Sequence, residues 1–147
     1  MDFFSSMNVS SSALAAERTR MNLISSNLAN ANATQTPEGG PYKRKDAVFA
    51  AIPAAKTFER VLNKAAGVQD IRQVEILQIV EDQSPPRLQY DPSHPDANSQ
   101  GYVAMPNVNV VEEMTDMINA TRTYEANVTA VQAAKTMALK TLEIGGK

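Results

Sequence analysis

Proline and glycine are segregated along this chain, and their placement constrains the fold more than any other feature. All eight Pro lie between Pro37 and Pro106. Residues 1–36 and 107–144 contain neither Pro nor Gly. An interior Pro removes a helix hydrogen bond and clashes with the preceding turn, and an interior Gly costs about 1 kcal/mol. The two ends can therefore run as uninterrupted helices, and the middle cannot. The predicted fold is mainly α. Residues 1–36 plus 107–147 form a terminal helical domain whose helices pair as an antiparallel coiled coil. Residues 37–106 form an extended and β-hairpin region.

The N-terminal segment repeats Met7, Leu14, Met21 and Leu28 every seven residues, with Ile24 beside that line. A shallower face holds Val9, Ala13, Ala16 and Leu23. This spacing predicts an amphipathic helix from about Asn8 to Asn30. Thr36-Pro37-Glu38-Gly39-Gly40-Pro41 is a strong stop. In the C-terminal segment, steps of three and four connect Val110, Met114, Met117, Thr121, Tyr124, Val128, Val131, Lys135, Ala138 and Leu142, the spacing of a coiled-coil seam. Asn109 and Glu112 read as a capping box. Glu112, Glu113 and Asp116 complement the positive end of the dipole, and Lys135 and Lys140 lie near the negative end. From Val110 to Leu142 the helix would span roughly 50 Å.

That C-terminal helix is also apolar off the seam, at Val111, Ile118, Ala126, Ala130, Ala133, Met137 and Ile144. A helix apolar over most of its circumference needs cover on several sides. One partner helix of about 23 residues cannot supply it, so other chains must. The expectation is a division of faces. Met7, Leu14, Met21, Ile24, Leu28, Val110, Met114, Met117, Tyr124, Val128, Val131 and Leu142 pack within the chain. Ala13, Ala16, Leu23, Ile118, Ala126, Ala130, Ala133 and Met137 pack between chains. Composition agrees: 21 Ala against 5% aromatics and no Trp suits close-packed helices better than a thick core.

The middle is mixed. Thr57–Lys64 is weakly helical. Val74–Val80 reads as a strand, Ser84-Pro85-Pro86 turns it, and Arg87–Tyr90 reads as its return strand. Asp91–Asp96 is a stiff turn, and Gly101-Tyr102-Val103 is extended.

Composition also excludes function classes. Lys+Arg is 14 against Asp+Glu 16, so there is no basic excess to serve a nucleic-acid binder. With no Cys, thiol catalysis and Cys-ligated zinc are ruled out. The longest apolar run, Ala47–Ala55, is too short to span a bilayer. Asp2 and the early serines do not match a cleavable secretory signal. The Asn-x-Ser/Thr matches at Asn8, Asn32, Asn119 and Asn127 then read as chance. No phosphate loop, GxSxG or HExxH is present. Asp91, His94 and Asp96 form one titratable cluster; a Pro-stiffened turn capping its own backbone explains it better than a metal or acid/base site. Tyr42-Lys43-Arg44-Lys45 reads as a solvated or subunit-contact basic patch. Met7, Met21, Met114, Met117 and Met137 read as seam packing rather than a promiscuous groove.

Ala13–Asn30, reading ALAAERTRMNLISSNLAN, resembles the N-terminal motif of the bacterial flagellar rod and hook proteins. Val110–Leu142, with Arg122-Thr123-Tyr124-Glu125-Ala126-Asn127, resembles their shared C-terminal helix. The motifs Gly39–Lys45, Tyr90–Asp96 and Gly101–Asn109 look like those of a short rod member. The resemblance implies a structural, non-catalytic protein with no cofactor and no metal. It implies helical polymerisation into the rod, a hollow drive shaft that crosses the periplasm, transmits torque and encloses an export channel. The implied partners are copies of the same chain, other rod proteins, and the neighbouring ring and rod-base components of the basal body. Such proteins are made in the cytoplasm and leave unfolded through the flagellar type III export apparatus. Two other readings are a soluble coiled-coil adaptor or secretion chaperone, and a small metal-dependent enzyme using His94.

Overall fold

The computed structural model describes residues 3–53 and 72–145, with side chains from Ser6 onward. Among the described residues, two helices and four strands follow one another along the chain. Helix α1 spans Phe3–Ala29, β1 Lys45–Pro53, β2 Arg72–Glu81, β3 Arg87–Tyr90, β4 Tyr102–Met105, and helix α2 Val110–Gly145. The helices run for 27 and 36 residues, as the absence of Pro and Gly from both ends allows. Helix α1 starts earlier than its apolar repeat suggested, because nothing in residues 3–7 breaks a helix. Thr57–Lys64 lies outside the described residues.

Each helix boundary has a local cause. Asn109 caps α2: its Oδ1 accepts from the Val111 N–H at 3.1 Å, satisfying one of the first-turn donors. After Ala29 the helix tightens, with Ala31 N–H donating to Leu28 C=O at 3.3 Å. The chain then turns through Gly39 and Gly40, both at positive φ (91° and 77°). Thr36 and Gly40 close that turn by a 2.9 Å backbone bond.

The strands correct the predicted hairpin. β2 pairs with β1, and β3 with β4, so Arg87–Tyr90 is not the return strand of Val74–Val80. The start of β1 meets the end of β2: Asp82 N–H donates to Arg44 C=O at 2.8 Å, and Lys45 Nζ lies 3.4 Å from a Glu81 carboxylate oxygen. Beyond β2, Asp82 Oδ1 takes the Ser84 N–H at 2.8 Å in an Asx turn, and Pro85 and Pro86 offer no ladder donors. β3 instead pairs antiparallel with β4, Arg87 opposite Met105 and Tyr90 opposite Tyr102. Gly101, at φ +80°, immediately precedes β4, where a Cβ would sit 2.9 Å from Tyr90 Cε2.

The chain forms two compact units. Unit 1 comprises Met1–Thr19, Phe49–Leu77 and Ala120–Lys147; unit 2 comprises Arg20–Val48 and Gln78–Asn119. In unit 1 the buried apolar residues are alanines, Ala16, Ala120 and Ala134, among the described residues. Ser12 Oγ there accepts from Val74 N–H at 3.2 Å and donates to Val9 C=O at 2.7 Å, tying β2 to α1. Unit 2 buries larger side chains: Ile24, Tyr42, Val103, Pro106 and Val108.

Candidate functional site

The best-ordered chemistry lies in unit 2, where the end of α1, the chain leading into β1 and the start of α2 meet around one amide. Asn27 is 1% exposed. Its Nδ2 donates to Lys45 C=O at 2.9 Å and to Glu113 Oε2 at 3.0 Å. Its Oδ1 accepts from Tyr42 Oη–H at 2.9 Å and from Lys45 N–H at 3.0 Å. Two donors and two acceptor sites are all that a side-chain amide has, and all four are filled. The amide therefore serves Lys45 as a neighbouring strand would.

Glu113, also 1% exposed, gives its second oxygen to Arg44 Nε at 2.6 Å. Arg44 reaches on to Asp46 at 3.0 Å and Asp116 at 4.0 Å. Its own N–H donates to Asn107 Oδ1 at 3.0 Å. Partial burial pulls the guanidinium pKa down, but hydrogen bonds from Glu113 and then Asp46 outweigh this and hold it above its ordinary value. Tyr42 closes the group, packing with Ala31 and Val108. Each cation of the basic run also has a partner within the chain. Arg44 is tied to Glu113, Lys43 Nζ donates to Gln83 Oε1 at 3.3 Å, and Lys45 pairs with Glu81. Opposite charge meets Arg44 and Lys45, whereas Lys43 stays exposed against a neutral amide.

The Asp91–Asp96 turn holds its own backbone. Asp91 Oδ1 accepts from Ser93 Oγ–H at 2.6 Å and Ser93 N–H at 3.1 Å. The Ser93 hydroxyl and then its N–H hold the Asp91 carboxyl below the usual carboxylate range. His94 Nδ1 accepts from Asp96 N–H at 3.1 Å. Asp96 reaches further, taking Thr34 Oγ1–H at 2.7 Å and Gln35 Nε2–H at 2.8 Å, so it clamps this turn to the segment after α1.

The predicted packing faces separate by exposure. On α1, Ile24 is buried, and Met7, Leu14, Met21 and Leu28 are half-buried. On α2, Met117, Tyr124, Val128 and Val131 are half-buried. Val110, Met114 and Leu142 are 45%, 55% and 72% exposed, so the chain does not cover them as an intramolecular seam requires. The covered stripe of α2 pairs the line Met117, Tyr124, Val131 and Ala138 with the line Glu113, Ala120, Asn127 and Ala134. Small or hydrogen-bonding side chains were preferred there over the larger apolar ones. Of the residues expected between chains, Ile118, Ala126, Ala130, Ala133 and Met137 are exposed, and Ala13 and Leu23 are half-buried. Ala16, at 5%, has almost no surface left to offer a neighbour.

Sequence reasoning missed the Asn27 network. Its signal was a polar residue between Ile24 and Ala31, on the buried stripe of α1. Glu113 was given to the helix dipole, which explains a charge near an N-terminus but not a buried one.

Two long terminal helices around short strands, with apolar residues of α2 facing outward, define a class of protein built for assembly. The family model of flagella basal body rod proteins matches residues 7–35. The model of the flagellar basal body rod FlgEFG protein C-terminal region matches residues 99–144. The class is that of the flagellar basal-body rod proteins. Relatives described as flagellar basal-body rod protein FlgC narrow it. The one from Bacillus subtilis is 45% identical, with 99% of each chain covered. That from Borreliella burgdorferi is 43% identical over 98% of each, and that from Salmonella typhimurium 40% over 94% of each. The chain belongs to the FlgC family of flagellar basal-body rod proteins.

Proposed function

We propose that this chain is a structural subunit of the flagellar basal-body rod that polymerises helically with copies of itself and other rod proteins. It performs no catalysis. The rod crosses the periplasm, carries torque and encloses the export channel. The subunit reaches it through the flagellar type III export apparatus, and ring and rod-base components adjoin it. In the assembled rod α1 and α2 pair as an antiparallel coiled coil lining the inner tube, and residues 37–106 face outward.

What supports this reading is the bare side of α2. Val110, Met114, Ile118, Met137, Leu139, Leu142 and Ile144 are 45–80% exposed, together with Ala126, Ala130 and Ala133. These residues lie on several sides of α2, and apolar surface left open in this way marks contacts with other chains. Ala13, Leu23, Ile118, Ala126, Ala130, Ala133 and Met137 pack between subunits, joined by Val110, Met114 and Leu142. Met7, Leu14, Met21, Ile24, Leu28, Met117, Tyr124, Val128 and Val131 pack within one.

The test is Ala130→Glu. A carboxylate without a partner in a dry subunit contact costs about 3–5 kcal/mol. The cost recurs at every subunit, so export continues while motility and basal-body yield collapse. Gln83→Glu is the control: Gln83 is exposed, and a carboxylate can still accept from Lys43. An exported Ala130→Glu chain that builds normal rods refutes the outward-face assignment.

A further inference from the structure

A cleft of about 540 Å³ opens in unit 2 at the start of α2. Its apolar wall includes Ala31, Pro106, Val108, Val110 and Val111. Arg87 is the only charged residue lining it, and it makes no ion pair among the described residues. Asn107 also lines it. The Asn107 Oδ1 is taken by Arg44, and its Nδ2 has no hydrogen-bond partner. The cleft thus combines apolar surface with an uncompensated cation.

The last turn of α2 has the complementary character. Leu139, Leu142 and Ile144 are 52%, 72% and 80% exposed. That turn contains no basic residue, and it carries Glu143. Within that turn the free carbonyls and partial negative charge of a helix C-terminus add to this carboxylate, while Lys140 stands three residues before it. Val110 and Val111 start the same helix that Ile144 nearly ends, so a helix of 36 residues cannot return its last turn to its own first.

We propose that the cleft at the first turn of α2 receives the last turn of α2 from a second copy of this chain, with Glu143 and the helix C-terminus facing Arg87. Leu139 and Leu142, three residues apart on one side of the helix, fill the apolar wall. The contact joins different surfaces on the two copies, head to tail, and repeated contacts of that kind generate an open filament. The inference rests on the rod-subunit reading and adds to it which ends meet.

Charge exchange in the full-length chain tests it. In cells lacking the native copy, Arg87→Glu and Glu143→Arg each lower motility and rod yield at least about tenfold, because each brings like charges together. The double variant restores both. The chain has no Cys, so Val111→Cys and Leu142→Cys copies expressed together also form a disulfide-linked dimer that neither forms alone. Full motility of Arg87→Glu overturns the proposal, and so does failure of the double variant to recover. If Arg87→Glu is harmful and Glu143→Arg harmless, another protein occupies the cleft, and the second-copy assignment is wrong. Motile cells holding both Cys copies without the mixed dimer overturn it as well. Failure of the rod-subunit reading looks different, because Ala130→Glu is then also harmless.

Discussion

Replacing Asn27 by Ala should damage unit 2 more than any exposed substitution on α1. The change removes four hydrogen bonds of 2.9–3.0 Å at a side chain that is 1% exposed. It strands the Lys45 N–H and C=O and one Glu113 oxygen. Tyr42 Oη keeps only a 3.4 Å contact with Ser26 Oγ. A buried group left unpaired costs about 1–3 kcal/mol. Water admitted to the vacated space recovers part of this, and Glu113 retains Arg44, so the net loss is about 3–5 kcal/mol. That is a large share of the roughly 5–15 kcal/mol that holds a domain folded. Asn27→Asp should be worse than Ala, because it sets a second carboxylate about 3 Å from Glu113. Asn22→Ala, exposed on the same helix, should stay within about 0.5 kcal/mol. Amide hydrogen exchange at Lys45 and Ala47, followed through urea unfolding, measures all three. A loss below about 1 kcal/mol for Asn27→Ala, or parity with Asn22→Ala, would refute the reasoning.

Two further outcomes follow from the turns. Gly101→Ala forces a Cβ to 2.9 Å from Tyr90 Cε2 and 3.2 Å from Pro92 Cγ at φ +80°, so it should cost about 2–3 kcal/mol in thermal unfolding. Gly39→Ala, at φ +91° but in open space, should cost only about 1 kcal/mol, and equal losses would show that the Tyr90 contact is irrelevant. Asp91 has its folded pKa depressed by Ser93, so its contribution is present above the unfolded value and lost as pH falls through the lower folded one. An NMR titration of Asp91 should therefore have its midpoint below about 3.9, Ser93→Ala should raise it, and a midpoint at or above 3.9 contradicts the assignment.

The helices were legible because their signals are local. Asn109 as cap, the absence of Pro and Gly, and the stop at Pro37–Pro41 each act within a turn or two of the residue concerned. Strand pairing was not local. Val74–Val80 was recognisable as a strand, but its partner begins at Lys45, across a segment that sequence pattern alone leaves open. The covered stripe of α2 was half legible. Met117, Tyr124 and Val131 announce themselves by size, whereas Ala120 and Ala134 beside them do not, and close approach favours exactly such small side chains. Glu113 and Asn27 were misjudged for a related reason. Polarity read from sequence argues for exposure, and only the geometry reveals that each finds its complement in the other.

These choices leave the two units unequal in what they can hold by themselves. Unit 2 combines Ile24, Tyr42, Val103 and Val108 with a polar network in which Asn27 is fully satisfied, so much of its stability is internal. The buried apolar residues of unit 1 are three alanines among those described, and a buried methyl-sized group contributes only about 0.8 kcal/mol. The same unit exposes Met137, Leu139, Leu142 and Ile144, any one of which would contribute about 1.5–3 kcal/mol if covered. Among the described residues the larger apolar gain in unit 1 lies in these exposed side chains, which the proposed rod contacts would cover. On the proposed assembly, unit 2 is held by its own contacts and the exposed side chains of unit 1 are covered by neighbours. An Asn27 variant and an Ala130 variant should then fail differently, the first in the isolated chain and the second only in the rod.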